Sequence, residues 1–144
     1  MSTLAKAIEI AAQAHGATMD RNGQPYILHP IRVMLDLDSE DERIVGVLHD
    51  VIEDTDLTLG DLRNAGFAPH IVDAVDSVTR REPNGGEQED YFDFVRRAKG
   101  NEIGRQVKLA DLRDNMDWSR IQEPTEKDMK RMQKYEQAYY MLLS

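Results

Sequence analysis

The chain has 144 residues, of which 40% are hydrophobic and 31% charged, and its formal net charge is −9. This size and balance predict one globular domain, spanning residues 1–144, with a sizeable core. The acidic surplus repels nucleic-acid backbones and anionic membranes, so neither is an expected partner. A small phosphorylated ligand stays compatible, because a bound divalent cation reverses the sign of the local charge.

The sequence contains no cysteine, which excludes disulfides, thiolate metal sites and cysteine nucleophiles. No apolar run approaches the roughly 18–20 residues that a bilayer-spanning helix needs. The first fifteen residues include Lys6 and Glu9 and lack the layout of a signal peptide. We therefore expect a cytoplasmic protein without a membrane-spanning segment.

Helical periodicity dominates the first part of the chain. Residues 3–15 predict an amphipathic helix that Thr3 or Ser2 caps. The pair Asn22-Gly23 interrupts the pattern and predicts a turn. A second helix is predicted to open at His29-Pro30, because proline is favoured in the first turn of a helix.

Capping signals predict the next two helices. Ser39 and Glu42 have the spacing of a capping box, and the helix that they begin is predicted to continue to about Asp54. Thr58 caps a short helix that Gly66 terminates.

The second half of the chain begins with a predicted helix over residues 69–79. The most polar segment, residues 80–90, is expected to be a mobile surface loop. Further helices are predicted over 91–98, over about 102–118, and from Thr125 to the end. The last helix is expected to pack through a stripe formed by Met129, Met132, Tyr135, Tyr139, Leu142 and Leu143. No segment alternates long enough to predict a strand, so the expected fold is all-α, a compact bundle of six to eight helices.

The helix that starts at Ser39 is predicted to place four polar side chains beside an apolar stripe. His49 and Asp50 are followed one turn later by Glu53 and Asp54. Residues three or four apart share a helix face, so the four side chains can lie together. Clustered carboxylates repel one another unless a cation or solvent offsets the repulsion. The segment therefore predicts part of a metal site.

Two distant segments supply further metal-competent side chains, His29 and Asp111. Together with His49 and Asp50 they form a nitrogen and oxygen ligand set that suits manganese, iron or zinc better than calcium. Four protein ligands around a six-coordinate ion leave two positions for water and a substrate oxygen, as metal-assisted hydrolysis requires. Asn115 follows Asp111 by one helical turn and is placed to orient a substrate hydroxyl or phosphate.

These motifs occur in a recognisable order. They are His15, Arg21 to Pro30 (RNGQPYILHP), His49 to Thr55 (HDVIEDT), Val107 to Asp111 (VKLAD) and Asn115. In this order the sequence resembles the HD-domain metal-dependent phosphohydrolases, specifically the hydrolase domain of the RelA/SpoT group and its small single-domain relatives. The resemblance implies an all-helical HD domain in which His29, His49, Asp50 and Asp111 hold Mn²⁺.

The same resemblance implies hydrolysis of the 3′-diphosphate of the guanosine alarmones ppGpp and pppGpp, or of a close nucleotide relative, giving GDP or GTP and pyrophosphate. Glu53 and Asp54 are then expected to position or deprotonate the attacking water. Asn115 is expected to hold the nucleotide near its ribose, and Arg21 and Tyr26 to line the substrate side. A synthetase or regulatory domain does not fit in 144 residues, so we expect no bifunctional enzyme.

The sequence departs from the family pattern at Asp20, where alarmone hydrolases commonly carry a basic residue that packs on guanine. An aspartate cannot stack as a guanidinium does, and it repels phosphate. Two alternatives stay open: a phosphomonoesterase acting on another phosphorylated nucleotide, and a non-catalytic module that binds a nucleotide through the metal. The pair Glu53-Asp54 argues against the second, because a pure binder has little use for water-activating carboxylates. We place His15 outside the metal shell.

Overall fold

The computed structural model describes residues 2–82, 87–121 and 123–144. Residues 83–86, at the centre of the loop predicted over 80–90, lie outside them. Within these ranges the chain forms nine α-helices, one 3₁₀ turn and a single isolated backbone bridge between Met19 and Pro25. The all-α prediction is confirmed. The helices are α1 (Leu4–His15), α2 (Leu28–Leu35), α3 (Glu40–Leu48), α4 (Val51–Asp54), α5 (Leu59–Asn64), α6 (Pro69–Ser77), α7 (Tyr91–Lys99), α8 (Glu102–Asn115) and α9 (Glu126–Leu143).

Local side-chain signals start the early helices as predicted. The hydroxyl of Thr3 accepts the backbone N–H of Lys6 at the start of α1. Ser39 forms a reciprocal capping box with Glu42 at the start of α3. Such caps satisfy backbone donors that have no partner inside the helix, and each typically stabilises the folded chain by about 1 kcal/mol.

The segment predicted as one helix up to Asp54 is broken into α3 and α4. The imidazole Nδ1 of His49 lies 2.6 Å from the carbonyl oxygen of Gly46. In a continuous helix this carbonyl would accept the N–H of Asp50. Here the carbonyl is instead contacted by both the backbone N–H and the ring Nδ1 of His49, and α3 ends at Leu48 while α4 begins at Val51. The extra break also raises the helix count above the predicted range.

The boundary predicted near residue 118 is wrong by three residues. α8 ends at Asn115, and a separate 3₁₀ turn covers Trp118–Arg120. Asp117 caps this turn, because its Oδ1 accepts the N–H of Ser119 at 2.9 Å. A local side-chain cap therefore starts a new element where periodicity alone suggested a continuation.

The packing stripe predicted along α9 is only partly buried. Met132 and Leu142 are buried, whereas Met129 and Leu143 are 58% and 53% exposed. The two exposed residues lie near the ends of α9, which packs against α7 and α8. The prediction that both pack in the core is wrong.

Two hydrophobic clusters meet along α8. The larger cluster joins side chains from α1 to α8, including Val107 and Ala110. The smaller one joins α7, α8 and α9 and includes Leu109 and Leu112. Asp111 therefore lies on a helix that is packed from two directions. None of the helices in the described ranges combines the length and apolar character needed to cross a membrane.

The described ends of the 80–90 segment are held by arginines. Arg80 Nε donates to the carbonyl oxygen of Glu89 at 2.8 Å. Arg97 on α7 contacts the Glu89 carboxylate through Nε and Nη2 at 2.7 and 2.6 Å. It also donates to the carbonyl oxygen of Thr79 at 2.8 Å. These contacts fix both sides of the segment next to α6 and α7.

Candidate metal centre

Helices α2 and α8 and the residue that follows α3 bring three metal-competent side chains together. The ligand atoms of His29, His49 and Asp111 all lie within 4.8 Å of one another. Asp111 Oδ1 is 2.9 Å from His29 Nε2 and 3.2 Å from His49 Nε2. All three residues are buried, with exposed fractions of 8%, 2% and 5%. Two imidazole nitrogens and a carboxylate oxygen thus converge on one point.

The fourth predicted ligand, Asp50, borders this group. Its Oδ2 lies 3.1 Å from His49 Nε2 and 3.6 Å from His29 Nε2. The same carboxylate oxygen accepts a hydrogen bond from the hydroxyl of Tyr26. Asp50 lies in the break between α3 and α4. In the continuous helix that the sequence predicted, its side chain would point in a different direction.

A glycine, Gly46, lies where α3 packs against α2. A Cβ atom on Gly46 would lie 2.7 Å from Leu37 Cδ1, at the end of a flexible side chain, and 3.5 Å from Met34 Cα. A side chain at this position would therefore require the Leu37 side chain to move, whereas the distance to Met34 Cα is an ordinary van der Waals contact. The ring centroids of His29 and His49 are 5.1 Å apart across this contact.

Nε2 of each imidazole faces Asp111, and Nδ1 makes a second contact that fixes the ring. His49 Nδ1 lies 2.6 Å from the Gly46 carbonyl oxygen, and His29 Nδ1 lies 2.6 Å from Asp114 Oδ2. Asp114 was missed by sequence reasoning. The signal that could have found it is its position three residues after Asp111, on the same side of α8.

Two residues of α8 hold the Asp111 carboxylate. Lys108 Nζ donates to Oδ2 at 2.9 Å, and Asn115 Nδ2 donates to Oδ1 at 3.1 Å. Lys108 is itself buried, with Nζ 4.8 Å from the centroid of the Phe94 ring. Lys108 and Asp111 thus form a buried internal ion pair.

The pKa values of these groups reflect their mutual contacts. Burial lowers the pKa of His29, but hydrogen bonds to Asp111 and Asp114 outweigh it and raise the pKa to about 9. Burial also opposes the charge on His49, yet Asp50 and Asp111 raise its pKa well above the usual value. Protons on the two imidazoles thus balance the buried carboxylates. A divalent cation can replace such protons, because metal binding to imidazole releases them. The donor set therefore fits a divalent metal ion.

A cleft of about 1360 Å³ opens above these residues. Its lining includes Arg21, Tyr26, Glu53 and Asp54. Glu53 Oε1 accepts the backbone N–H of Arg80, which orients its carboxylate. Burial raises the pKa of Glu53, and burial together with the Asp50 charge raises that of Asp54. Both carboxyl groups are therefore better proton acceptors than ordinary surface carboxylates.

Asp20, the departure from the family pattern, forms the turn before α2. Its Oδ1 accepts the N–H groups of Asn22 and Gln24 at 2.8 and 2.9 Å. Gly23 completes the turn at a φ of 78°, a conformation that side chains disfavour. The Asp20 carboxylate is thus engaged with the backbone, while the adjacent Arg21 is exposed at the cleft.

His15 lies behind the cleft. It is 3% exposed, and its ring centroid is 5.0 Å from that of Tyr26. Its Nε2 has no hydrogen-bond partner among the residues that the structure describes. The His15 side chain contacts Tyr26, which in turn bonds Asp50, and it stands apart from the three-residue cluster.

Comparison with known proteins supports the resemblance seen in the motifs. No protein-family model matches the chain. The guanosine-3′,5′-bis(diphosphate) 3′-pyrophosphohydrolase of Borreliella burgdorferi is 40% identical over 80 residues, which cover 52% of this chain and 12% of that protein. The protein of the same name from Vibrio cholerae is 29% identical over 126 residues, covering 81% of this chain and 18% of the relative. The chain spans less than a fifth of the length of these relatives.

A solved structure extends the comparison to the whole chain. A metazoan ortholog of SpoT, described as hydrolysing ppGpp, aligns with a TM-score of 0.75 and 22% sequence identity, covering 99% of this chain and 86% of the other. The chain has the fold of this SpoT ortholog. The resemblance to the RelA/SpoT hydrolase domain is thereby confirmed.

Within this SpoT-like fold the predicted site residues divide into two groups. The floor of the cleft consists of the buried His29, His49 and Asp111 with the adjoining Asp50. The rim consists of Arg21, Glu53 and Asp54, which are exposed. Tyr26 and Asn115 adjoin the floor, because each donates a hydrogen bond to a floor carboxylate.

Proposed function

We propose that the protein is a metal-dependent pyrophosphohydrolase that removes the 3′-diphosphate of ppGpp or pppGpp, or of a close nucleotide relative. The products are GDP or GTP and pyrophosphate. The observation that carries this proposal is the convergence of His29, His49 and Asp111 beneath a cleft whose rim bears Glu53 and Asp54. The names of the relatives, and the activity described for the SpoT ortholog, support the choice of substrate.

The floor is proposed to hold one Mn²⁺ ion through His29, His49, Asp50 and Asp111. This set of two nitrogen and two oxygen donors suits manganese or a neighbouring transition metal. When bound, the ion lowers the pKa of water and stabilises negative charge on phosphate oxygens. Lys108 and Asn115 keep the Asp111 carboxylate oriented toward the two imidazoles.

The rim carboxylates are proposed to handle the proton of the attacking water. Glu53 and Asp54 have raised pKa values and face the cleft, so either can orient water and accept a proton from it. Attack at the phosphorus next to the ribose forms a new P–O bond and breaks the bond to the 3′-oxygen. Pyrophosphate then leaves, and the ribose 3′-oxygen takes up a proton.

Cationic side chains in the cleft support an anionic substrate. Arg21, Arg80 and Lys134 all line it, although the chain as a whole is strongly acidic. Lys134 Nζ lies 4.4 Å from the centroid of the Tyr91 ring. Burial lowers the pKa of Lys134, and nearby cations including Arg80 lower it further. A phosphate group between these cations would relieve their repulsion.

Product analysis tests the proposal directly. Purified protein loaded with Mn²⁺ is incubated with ppGpp, and both pyrophosphate and inorganic phosphate are measured. Release of pyrophosphate is the expected result. Release of inorganic phosphate instead would identify the phosphomonoesterase that Asp20 leaves open. Nucleotide binding without turnover, even at high protein concentration, would identify a non-catalytic module.

A further inference from the structure

The two histidines of the floor are held by different acceptors. His49 Nδ1 faces a neutral carbonyl oxygen, that of Gly46, whereas His29 Nδ1 faces the carboxylate of Asp114, each at 2.6 Å. A carboxylate accepts a hydrogen bond from imidazole more strongly than a carbonyl does, because it carries a full charge. Of the two histidines, only His29 therefore has a charged acceptor at Nδ1.

We infer that Asp114, clamped by Arg32 and Arg120, is a positioning residue that keeps a proton on His29 Nδ1 and thereby presents Nε2 to the cation. The inference rests on the metal centre of the proposed function. It adds a residue that acts through His29 and is not itself a ligand of the ion. An imidazole that donates through one nitrogen offers the lone pair of the other, and a carboxylate partner also makes that lone pair more basic.

The orientation of the His29 ring fits this role. Nδ1 points to Asp114 Oδ2 at 2.6 Å, and Nε2 points to Asp111 Oδ1 at 2.9 Å. The ring is thus held at both ends, with Nε2 directed at the point where the floor residues converge. His29 and Asp114 come from α2 and α8, so their contact also fixes the ring relative to Asp111.

Asp114 is itself fixed by two arginines. Arg32 forms a two-point contact, with Nε 2.7 Å from Oδ1 and Nη2 3.2 Å from Oδ2. Arg120 Nη1 lies 3.3 Å from Oδ1, and its Nη2 donates to the Asp114 carbonyl oxygen. The Asp114 side chain is only 10% exposed. Paired planar contacts of this kind restrict the carboxylate to one orientation, so the acceptor for His29 is in place before metal binds.

The neighbouring Asp117 provides a matched control. It pairs with the same arginine, with Arg120 Nη1 3.1 Å from Asp117 Oδ2. Its other hydrogen bonds are local ones within the 3₁₀ turn. Asp117→Asn therefore removes a carboxylate from Arg120 and leaves the contact between Asp114 and His29 intact.

The first test measures Mn²⁺ affinity by calorimetry without nucleotide, in the 144-residue chain. Asp114→Leu is expected to weaken binding about 10–100-fold, the usual cost of losing a partner of a metal-bound histidine. Asp114→Asn keeps an acceptor oxygen without the charge, so it is expected to lose less than Asp114→Leu. Asp117→Asn is expected to bind as the wild type does.

The second test separates positioning from a structural role. In protein loaded with diamagnetic Zn²⁺, the ring nitrogens of His29 are assigned by ¹H–¹⁵N NMR. The wild type is expected to show a slowly exchanging proton on Nδ1, and Asp114→Asn to show that signal shifted and exchanging faster. Circular dichroism establishes that the variant is folded.

Two results would overturn the inference. One is an Asp114→Asn protein, folded by circular dichroism, with wild-type Mn²⁺ affinity and an unchanged Nδ1 signal. The other is an equal loss of affinity in Asp117→Asn. Because no nucleotide is present, either result leaves the pyrophosphohydrolase proposal standing if wild-type protein binds Mn²⁺. Absence of pyrophosphate release, in contrast, leaves the Asp114 inference standing.

Discussion

The floor and the rim of the cleft are built in opposite ways. On the floor, His29, His49 and Asp111 are buried and bonded to one another. On the rim, Glu53 and Asp54 are exposed side chains on a helix of only one turn. Burial makes the floor rigid and ties its geometry to the packing of α2, α3 and α8. The rim can meet water and substrate, because its partly desolvated side chains remain accessible at the cleft. We therefore expect changes to the floor to affect metal binding, and changes to the rim to affect turnover alone.

The largest effect is expected from removing a floor imidazole. His49→Ala should abolish pyrophosphate release and weaken Mn²⁺ binding more than the roughly 10–100-fold expected for losing a partner of a ligand. Calorimetry and a product assay measure the two effects. His70→Ala is the control, since His70 is exposed and pairs with Asp41. Retention of Mn²⁺ affinity in His49→Ala would contradict the proposed metal centre.

Removing a rim carboxylate is expected to lower kcat without changing Mn²⁺ affinity. Glu53→Gln or Asp54→Asn should lower kcat about 10²–10⁴-fold, the usual contribution of a general base. Mn²⁺ affinity should stay at the wild-type level in both variants. Asp56→Asn, an exposed carboxylate two residues beyond Asp54, should leave kcat unchanged. Equal losses of metal affinity in floor and rim variants would remove the distinction between the two regions.

Mn²⁺ binding at the floor should also depend on pH. In the metal-free protein His29 has a pKa of about 9 and that of His49 is also raised, so both are protonated near neutral pH. The metal needs unprotonated nitrogens, so Mn²⁺ binding should release protons. Apparent affinity should rise about tenfold per pH unit for each proton released, up to about pH 9. Calorimetry in buffers of different ionisation enthalpy counts the protons. A pH-independent affinity would show that the imidazoles do not bind the ion.

A smaller effect is expected from a cation in the cleft. Lys134→Met should raise KM for ppGpp about 10–150-fold with little change in kcat, because a charge-assisted hydrogen bond contributes roughly 1.5–3 kcal/mol. Lys130→Met is the matched control, since Lys130 is an exposed lysine one turn earlier on α9. Steady-state kinetics measures both variants. A change in kcat alone would assign Lys134 a different role.

The smallest effect is expected far from the cleft. Ser39→Ala removes the capping box of α3 and should lower the free energy of unfolding by about 1 kcal/mol. Urea denaturation measures this loss. Mn²⁺ affinity and kcat should not change, because the opposite end of α3 leads to His49. A loss of metal affinity would show that the floor depends on the whole length of α3.

The local parts of the fold were predictable from sequence because their causes are local. Thr3, Ser39 and Thr58 were identified as caps, and each accepts a backbone N–H three residues later. The break at His49-Asp50 was not predictable. It depends on the imidazole of His49 turning back to the Gly46 carbonyl, whereas apolar periodicity continues through Val51. Asp114 was missed for a related reason, because its partner His29 is 85 residues away.

The sequence by itself determined which residue types are available: two histidines and several carboxylates on otherwise apolar helices, and the order in which these motifs occur. Only the tertiary structure decided that His29 and His49, which are 82 and 62 residues from Asp111 in sequence, point at the same carboxylate oxygen. Helix formation depends on hydrogen bonds between residues four apart and on the spacing of apolar residues. Both are local features that the sequence shows directly. The position of one helix against another follows from side-chain packing across α8 and from the close contact at Gly46, which no local pattern specifies.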